Sequence, residues 1–147
     1  MSGHAAPSGP PTRLLLADSD PSLRRVLHLA LHAHGYQVAL ADTATTALEM
    51  AGAEHRDLIV LDLSLPGAVD LIRALRQAGS TPILVLTWPT HPDPQAALDV
   101  GADDALTKPF GIGQLLERLQ TLRTPGYSAP GQDKTPATGA TAPWLRS

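Results

Sequence analysis

At 147 residues the chain has room for one domain of ordinary size, and its 43% apolar content suffices for one core. With 11 Lys+Arg against 14 Asp+Glu, the net charge of −3 and the lack of a basic block argue against a nucleic-acid footprint for this chain. No cysteine is present, which excludes a disulfide framework and a Cys-based zinc site, and no apolar stretch is long enough to span a membrane; with no signal-peptide pattern in MSGHAAPSGPPT, a cytoplasmic protein is expected.

Residues 1–12 are Pro, Gly, Ser and Ala without a period and read as a flexible arm. From 13 to 123 the pattern alternates strand and helix. A strand over 13–18 is followed by Asp20-Pro21-Ser22, with Asp20 suited to cap a helix and Pro21 to its first turn. Leu23, Val26, Leu27, Ala30 and Leu31 give that helix an apolar face, and Gly35 stops it. A second strand is predicted over 36–41, and Thr43 caps a helix over 44–53. A third strand covers 57–62, and after LSLPG a helix runs over 68–78 with Leu71, Ile72 and Leu75 inward. Pro82 opens a strand over 82–87. The proline-rich WPTHPDP leads to a short helix near 94–100 closed by Gly101, then a strand over 103–107 and a helix over 112–122. Five strand–helix alternations predict an α/β, doubly wound, five-stranded parallel sheet in the order 2-1-3-4-5 with right-handed crossovers. Residues 124–147 are rich in Pro, Gly, Thr and Ala and read as a disordered tail or linker stub; Trp144 and Leu145 there form a candidate docking motif.

Four polar residues sit where apolar runs end: Asp18 after RLLLA, Asp62 after DLIVL, Thr87 after PILVL and Lys108 after DALT. Runs rich in Leu, Ile and Val read as strands buried on both faces, hence a parallel sheet. Ligands of such sheets bind in the crevice beyond the carboxyl ends of the strands. Two carboxylates, a hydroxyl and an amine are therefore aimed at one crevice. They are chemistry for a phosphoryl group: oxygens for a divalent cation, a carboxylate nucleophile and donors for phosphate oxygens.

LLLADSDPSLRRVL, LIVLDLSLPG, PILVLT and GADDALTKPF, in this order and spacing, make the chain resemble a receiver domain of two-component response regulators over about residues 12–123. The resemblance implies the flavodoxin-like receiver fold and a role for each matched residue. Asp62 is the implied phosphoacceptor, Thr87 the hydroxyl that reports the phosphoryl group, and Lys108 the amine that contacts it, followed by Pro109 across a cis peptide. Asp18 is the implied first member of an acidic pair that holds Mg²⁺ with Asp62, and Ser64 the residue whose backbone carbonyl completes the site. The implied partner is a sensor histidine kinase or phosphotransfer protein.

Four departures predict a weakened switch. Ser19 stands where the second carboxylate of the pair is expected, so Mg²⁺ binding is expected to be weak or absent unless Asp20 compensates. Trp88 follows Thr87 where a small residue is usual, so an indole either covers Asp62 or turns out onto the proline-rich loop. The loop after Leu65-Pro66 lacks the usual Asp-Gly, and Ala105 replaces an aromatic that swings inward on activation. Asp104 and Arg118 are expected to pair on the face made by the fourth helix, fifth strand and fifth helix, through which similar receivers form homodimers; Gln114 weakens that network.

His28 and His32 share a helix face but lack a third ligand, so solvated positions are the better reading. Gly111-Ile112-Gly113 lacks the Lys-Ser/Thr of a phosphate loop and reads as a helix start. Asp62-Leu63-Ser64 lacks the second Asp of an aspartyl-phosphate hydrolase, so the chain reads as a signalling module and not an enzyme. The first expectation is a phosphorelay receiver, stand-alone or part of a longer regulator, that accepts a phosphoryl group on Asp62. The alternative is a phosphorylation-independent pseudo-receiver acting as a protein-interaction module.

Overall fold

The computed structural model describes residues 11–89 and 94–123. Most of the predicted arm, the middle of the proline-rich connection, and the tail with Trp144 and Leu145 lie outside these residues. Thr12, assigned to the arm on sequence, is already tied to the sheet: its carbonyl accepts the Gln37 N–H at 2.8 Å.

The elements run β1 (Arg13–Ala17), α1 (Pro21–Ala33), β2 (Gln37–Ala41), α2 (Ala44–Ala53), β3 (Leu58–Asp62), α3 (Ala68–Ala78), β4 (Ile83–Thr87), α4 (Gln95–Asp99), β5 (Asp104–Thr107) and α5 (Ile112–Arg123). All strand pairs are parallel, in the order β2-β1-β3-β4-β5. The expected fold is therefore observed, with most strands one residue shorter at an end than the apolar runs. The side chains of β3 and β4 are buried at every position, as a sheet covered on both faces requires.

Alternation sorts the strand residues into two cores. Leu15, Ile59, Leu61, Ile83 and Val85 pack with α2, α3 and α4 on one face. Leu14, Leu16, Leu58, Val60, Leu84 and Leu86 pack with α1 and α5 on the other. Burying a Leu, Ile or Val side chain contributes roughly 1.5–3 kcal/mol, so these two layers dominate the favourable energy of folding. Val26 departs from its predicted face: it is 56% exposed, while Leu27 and Leu31 carry the burial of α1. The helix lies on the sheet along a stripe too narrow to include position 26.

Local signals account for the helix ends. Asp20 Oδ1 accepts the N–H groups of Ser22 (2.9 Å) and Leu23 (3.4 Å), capping α1. At the other end Gly35 (φ +92°) donates to His32 O and Tyr36 to Leu31 O, a Schellman closure that needs a left-handed residue. Thr43 caps α2 through the Thr46 N–H. Gln114 reaches back to accept the Gly111 N–H at 3.0 Å, so the Gly-Ile-Gly segment is a helix start and not a phosphate cradle. Asp20→Ala is expected to cost about 1 kcal/mol of stability in urea denaturation, with Asp20→Asn nearly neutral; equal losses in both would show that the charge, not the cap, is what counts.

Candidate functional site

Register brings the predicted residues together. Ala17 pairs with Leu61 across β1 and β3, so Asp18 and Asp62, each following these residues, emerge side by side at the carboxyl ends of their strands. Thr87 ends β4 opposite Thr107, and Lys108 follows at once. The Lys108–Pro109 peptide is cis, as the resemblance implies. Asp18, Asp62, Thr87 and Lys108 are all buried, although every one is polar.

Buried polar groups need partners, and most of these have them. Asp62 Oδ2 accepts from the Lys108 ammonium. Asp62 Oδ1 accepts the Ser64 N–H at 2.8 Å and the Ser64 hydroxyl at 2.6 Å. Burial would raise the Asp62 pKa, but the Lys108 and Ser64 donors outweigh it and hold the carboxyl below its ordinary value. Asp62 is therefore a carboxylate at neutral pH, the form a nucleophile requires. Thr87 Oγ1 donates to the Trp88 carbonyl at 3.2 Å in this state.

Asp18 is different. Its Oδ1 accepts the Asp20 N–H at 2.9 Å, and its carbonyl accepts Arg24 Nη1 at 2.6 Å. Its Oδ2 is buried with no donor. Burial pushes the Asp18 carboxyl up to about 6; the Asp20 N–H opposes this, and the neighbouring Asp62 charge adds to it. An orphaned carboxylate oxygen beside a second carboxylate is what a divalent cation would satisfy. Among the described residues no group of three or more His, Asp or Glu side chains could hold a metal. Mg²⁺ commonly needs only one or two carboxylates beside water and phosphate oxygens, so Asp18 and Asp62 fit that demand. Ser19 is exposed, and Asp20 spends its Oδ1 on the helix cap. The Ser64 bonds to Asp62 come from its N–H and hydroxyl.

The site contains contacts that the sequence reading missed. Asp18 and Asp62 each accept the N–H two residues on, two Asx-type turns at neighbouring strand ends, beside the expected Asp20 cap of α1. That pattern was available from strand-end Asp residues alone. Trp88 resolves toward the site: Lys108 Nζ lies 5.3 Å from the indole centroid. Asp104 and Arg118 meet as expected, with Arg118 Nη1 3.1 and 3.0 Å from the two carboxylate oxygens, within one chain. His28 and His32 touch edge to face, 6.3 Å between centroids, away from the crevice.

A family model described as response regulator receiver domain matches residues 14–120. The chain belongs to the response regulator receiver family. This receiver is 43% identical over 112 residues to the KDP operon transcriptional regulatory protein KdpE of Escherichia coli (strain K12), covering 74% of the chain and 50% of that protein. It is 40% identical over 112 residues to KdpE of Mycobacterium tuberculosis (strain H37Rv), covering 74% and 50%. The receiver thus spans about half the length of these relatives. Among solved structures it is similar to the chemotaxis response regulator CheY4 of Vibrio cholerae, with a TM-score of 0.69, 33% identity, and coverage of 76% of this chain and 98% of that one. No helix among the described residues is long and apolar enough to cross a membrane.

Proposed function

We propose that this receiver accepts a phosphoryl group on Asp62 from a sensor histidine kinase or phosphotransfer protein in the cytoplasm, as a signalling acceptor and not an enzyme, and that its switch is weakened. The observation that carries the reading is the pairing of Asp62 with Lys108 beside the orphaned Asp18 oxygen. In the transfer, the donor–phosphorus bond breaks as an Asp62 oxygen bonds to phosphorus. Lys108 then exchanges part of its bond to the carboxylate for phosphoryl oxygens, and the Thr87 hydroxyl turns from the Trp88 carbonyl to meet them. Mg²⁺ held by Asp18 and Asp62, with the Ser64 carbonyl as an additional oxygen, would neutralise the charge of the transferring group.

The weakness follows from three residues. Ser19 leaves the cation site one carboxylate short. Trp88 sets a half-exposed indole against the Lys108 ammonium that bonds Asp62, in place of a small residue. Ala105, half-buried against the core on the α3–α4 side, offers no ring to follow the Thr87 hydroxyl. These same features support the second reading, a pseudo-receiver that docks partners without phosphotransfer. A homodimer through α4, β5 and α5 would have to share the Asp104–Arg118 pair that one chain already closes, so dimerisation is expected to be weak.

Intact-mass measurement after incubation with Mg²⁺ and a small phosphodonor separates the readings. One added phosphoryl group is expected on the native chain and none on Asp62→Asn. An Asp62→Asn protein that labels equally well would move the acceptor elsewhere.

A further inference from the structure

We propose that Trp88 selects the phosphoryl donor at Asp62, favouring one whose leaving group is a flat aromatic ring, such as the imidazole of a phosphohistidine, over a small acyl phosphate. The inference rests on the reading of Asp62 as phosphoacceptor.

Asp62 is only 2% exposed, so a donor reaches it through the mouth of the crevice. Trp88 sits at that mouth. Its indole lies against the Lys108 ammonium, and Lys108 bonds Asp62 Oδ2, which sets ring, cation and nucleophile in series from solvent inward. Trp88 remains 48% exposed, so the ammonium does not use up the ring. The Thr87 hydroxyl bonds the Trp88 carbonyl, which ties the ring's own backbone to the site.

In the transfer, an Asp62 oxygen bonds to phosphorus while the phosphorus–donor bond breaks. The electron pair goes to the leaving atom, which takes up a proton from solvent. The leaving group departs on the side opposite Asp62, toward the mouth where the indole stands. A planar heteroaromatic ring can stack or meet the indole edge to face as it arrives and leaves. An acyl phosphate has no ring to make that contact and must still pass the indole.

The test uses the full chain with Mg²⁺ and two probes, phosphoimidazole and acetyl phosphate, with initial labelling rates read by intact mass. Trp88→Ala is expected to lower the phosphoimidazole-to-acetyl phosphate rate ratio by about five-fold or more, the order of effect of one aromatic pair. Trp88→Phe, which keeps a ring, is expected to preserve the ratio within about two-fold. A change in packing alone would alter both rates together and leave the ratio in place. An unchanged ratio in Trp88→Ala overturns the inference while leaving Asp62 as acceptor. Labelling of neither the native chain nor the variants by either probe, with the fold intact by circular dichroism, overturns the acceptor reading and this inference with it.

Discussion

Arg76→Ala is expected to destabilise the fold by about 3–5 kcal/mol, the usual cost of stripping one partner from a buried charge. Arg76 on α3 donates to the Gly101 carbonyl (2.8 Å), the Thr81 carbonyl (2.8 Å) and Asp103 Oδ2 (2.5 Å). Asp103, 2% exposed, also accepts the Ile83 N–H at 2.6 Å. One guanidinium thus ties α3 to the entry of β4 and to the turn before β5. Gly101 is part of the fit: it has φ +129°, and a Cβ there would collide with the Arg76 side chain. Asp103→Asn keeps an acceptor for the Ile83 N–H and should cost less than Arg76→Ala. Urea denaturation of the two variants gives the comparison, and a loss below ~1 kcal/mol in Arg76→Ala would mean the network contributes little.

Ser19→Asp is expected to raise Mg²⁺ affinity by on the order of tenfold or more, since altering the groups around a bound metal commonly changes affinity 10–100-fold. The variant adds a carboxylate next to Asp18, whose Oδ2 already lacks a donor. Labelling of Asp62 should quicken with it, because the cation carries charge off the phosphoryl group. Trp88→Ala is expected to leave Mg²⁺ affinity where it is, so calorimetric titration of the two variants separates metal deficiency from restricted access. Native protein that already matches Ser19→Asp in affinity would dismiss the missing carboxylate as the weak point.

Asp18, Asp62, Thr87 and Lys108 were legible in the sequence because each follows an apolar run, and the end of a buried strand is a defined place in a parallel sheet. The caps at Asp20 and Thr43 and the stop at Gly35 were legible because they act within a few residues. Arg76 and Asp103 were not. They lie 27 residues apart, and nothing local tells which Asp of the Asp103-Asp104 pair turns inward. Asp104 instead faces Arg118 on α5. Val26 was misplaced for a related reason: periodicity gives the direction of a helix face but not how far the sheet extends beneath it. The direction of Trp88 depends on the position of Lys108, which sequence spacing cannot supply.

The strand order also governs how the chain can assemble as it is made. β1 pairs with β2 on one side and β3 on the other, and β4 and β5 then join the β3 edge in chain order. Every strand after the first thus borders one that precedes it in the chain, and no later strand is inserted between two earlier neighbours: β3 takes the free edge of β1. The last strand to arrive carries Lys108 just beyond its end, so the Asp62 carboxylate meets its counter-charge only when the sheet is finished.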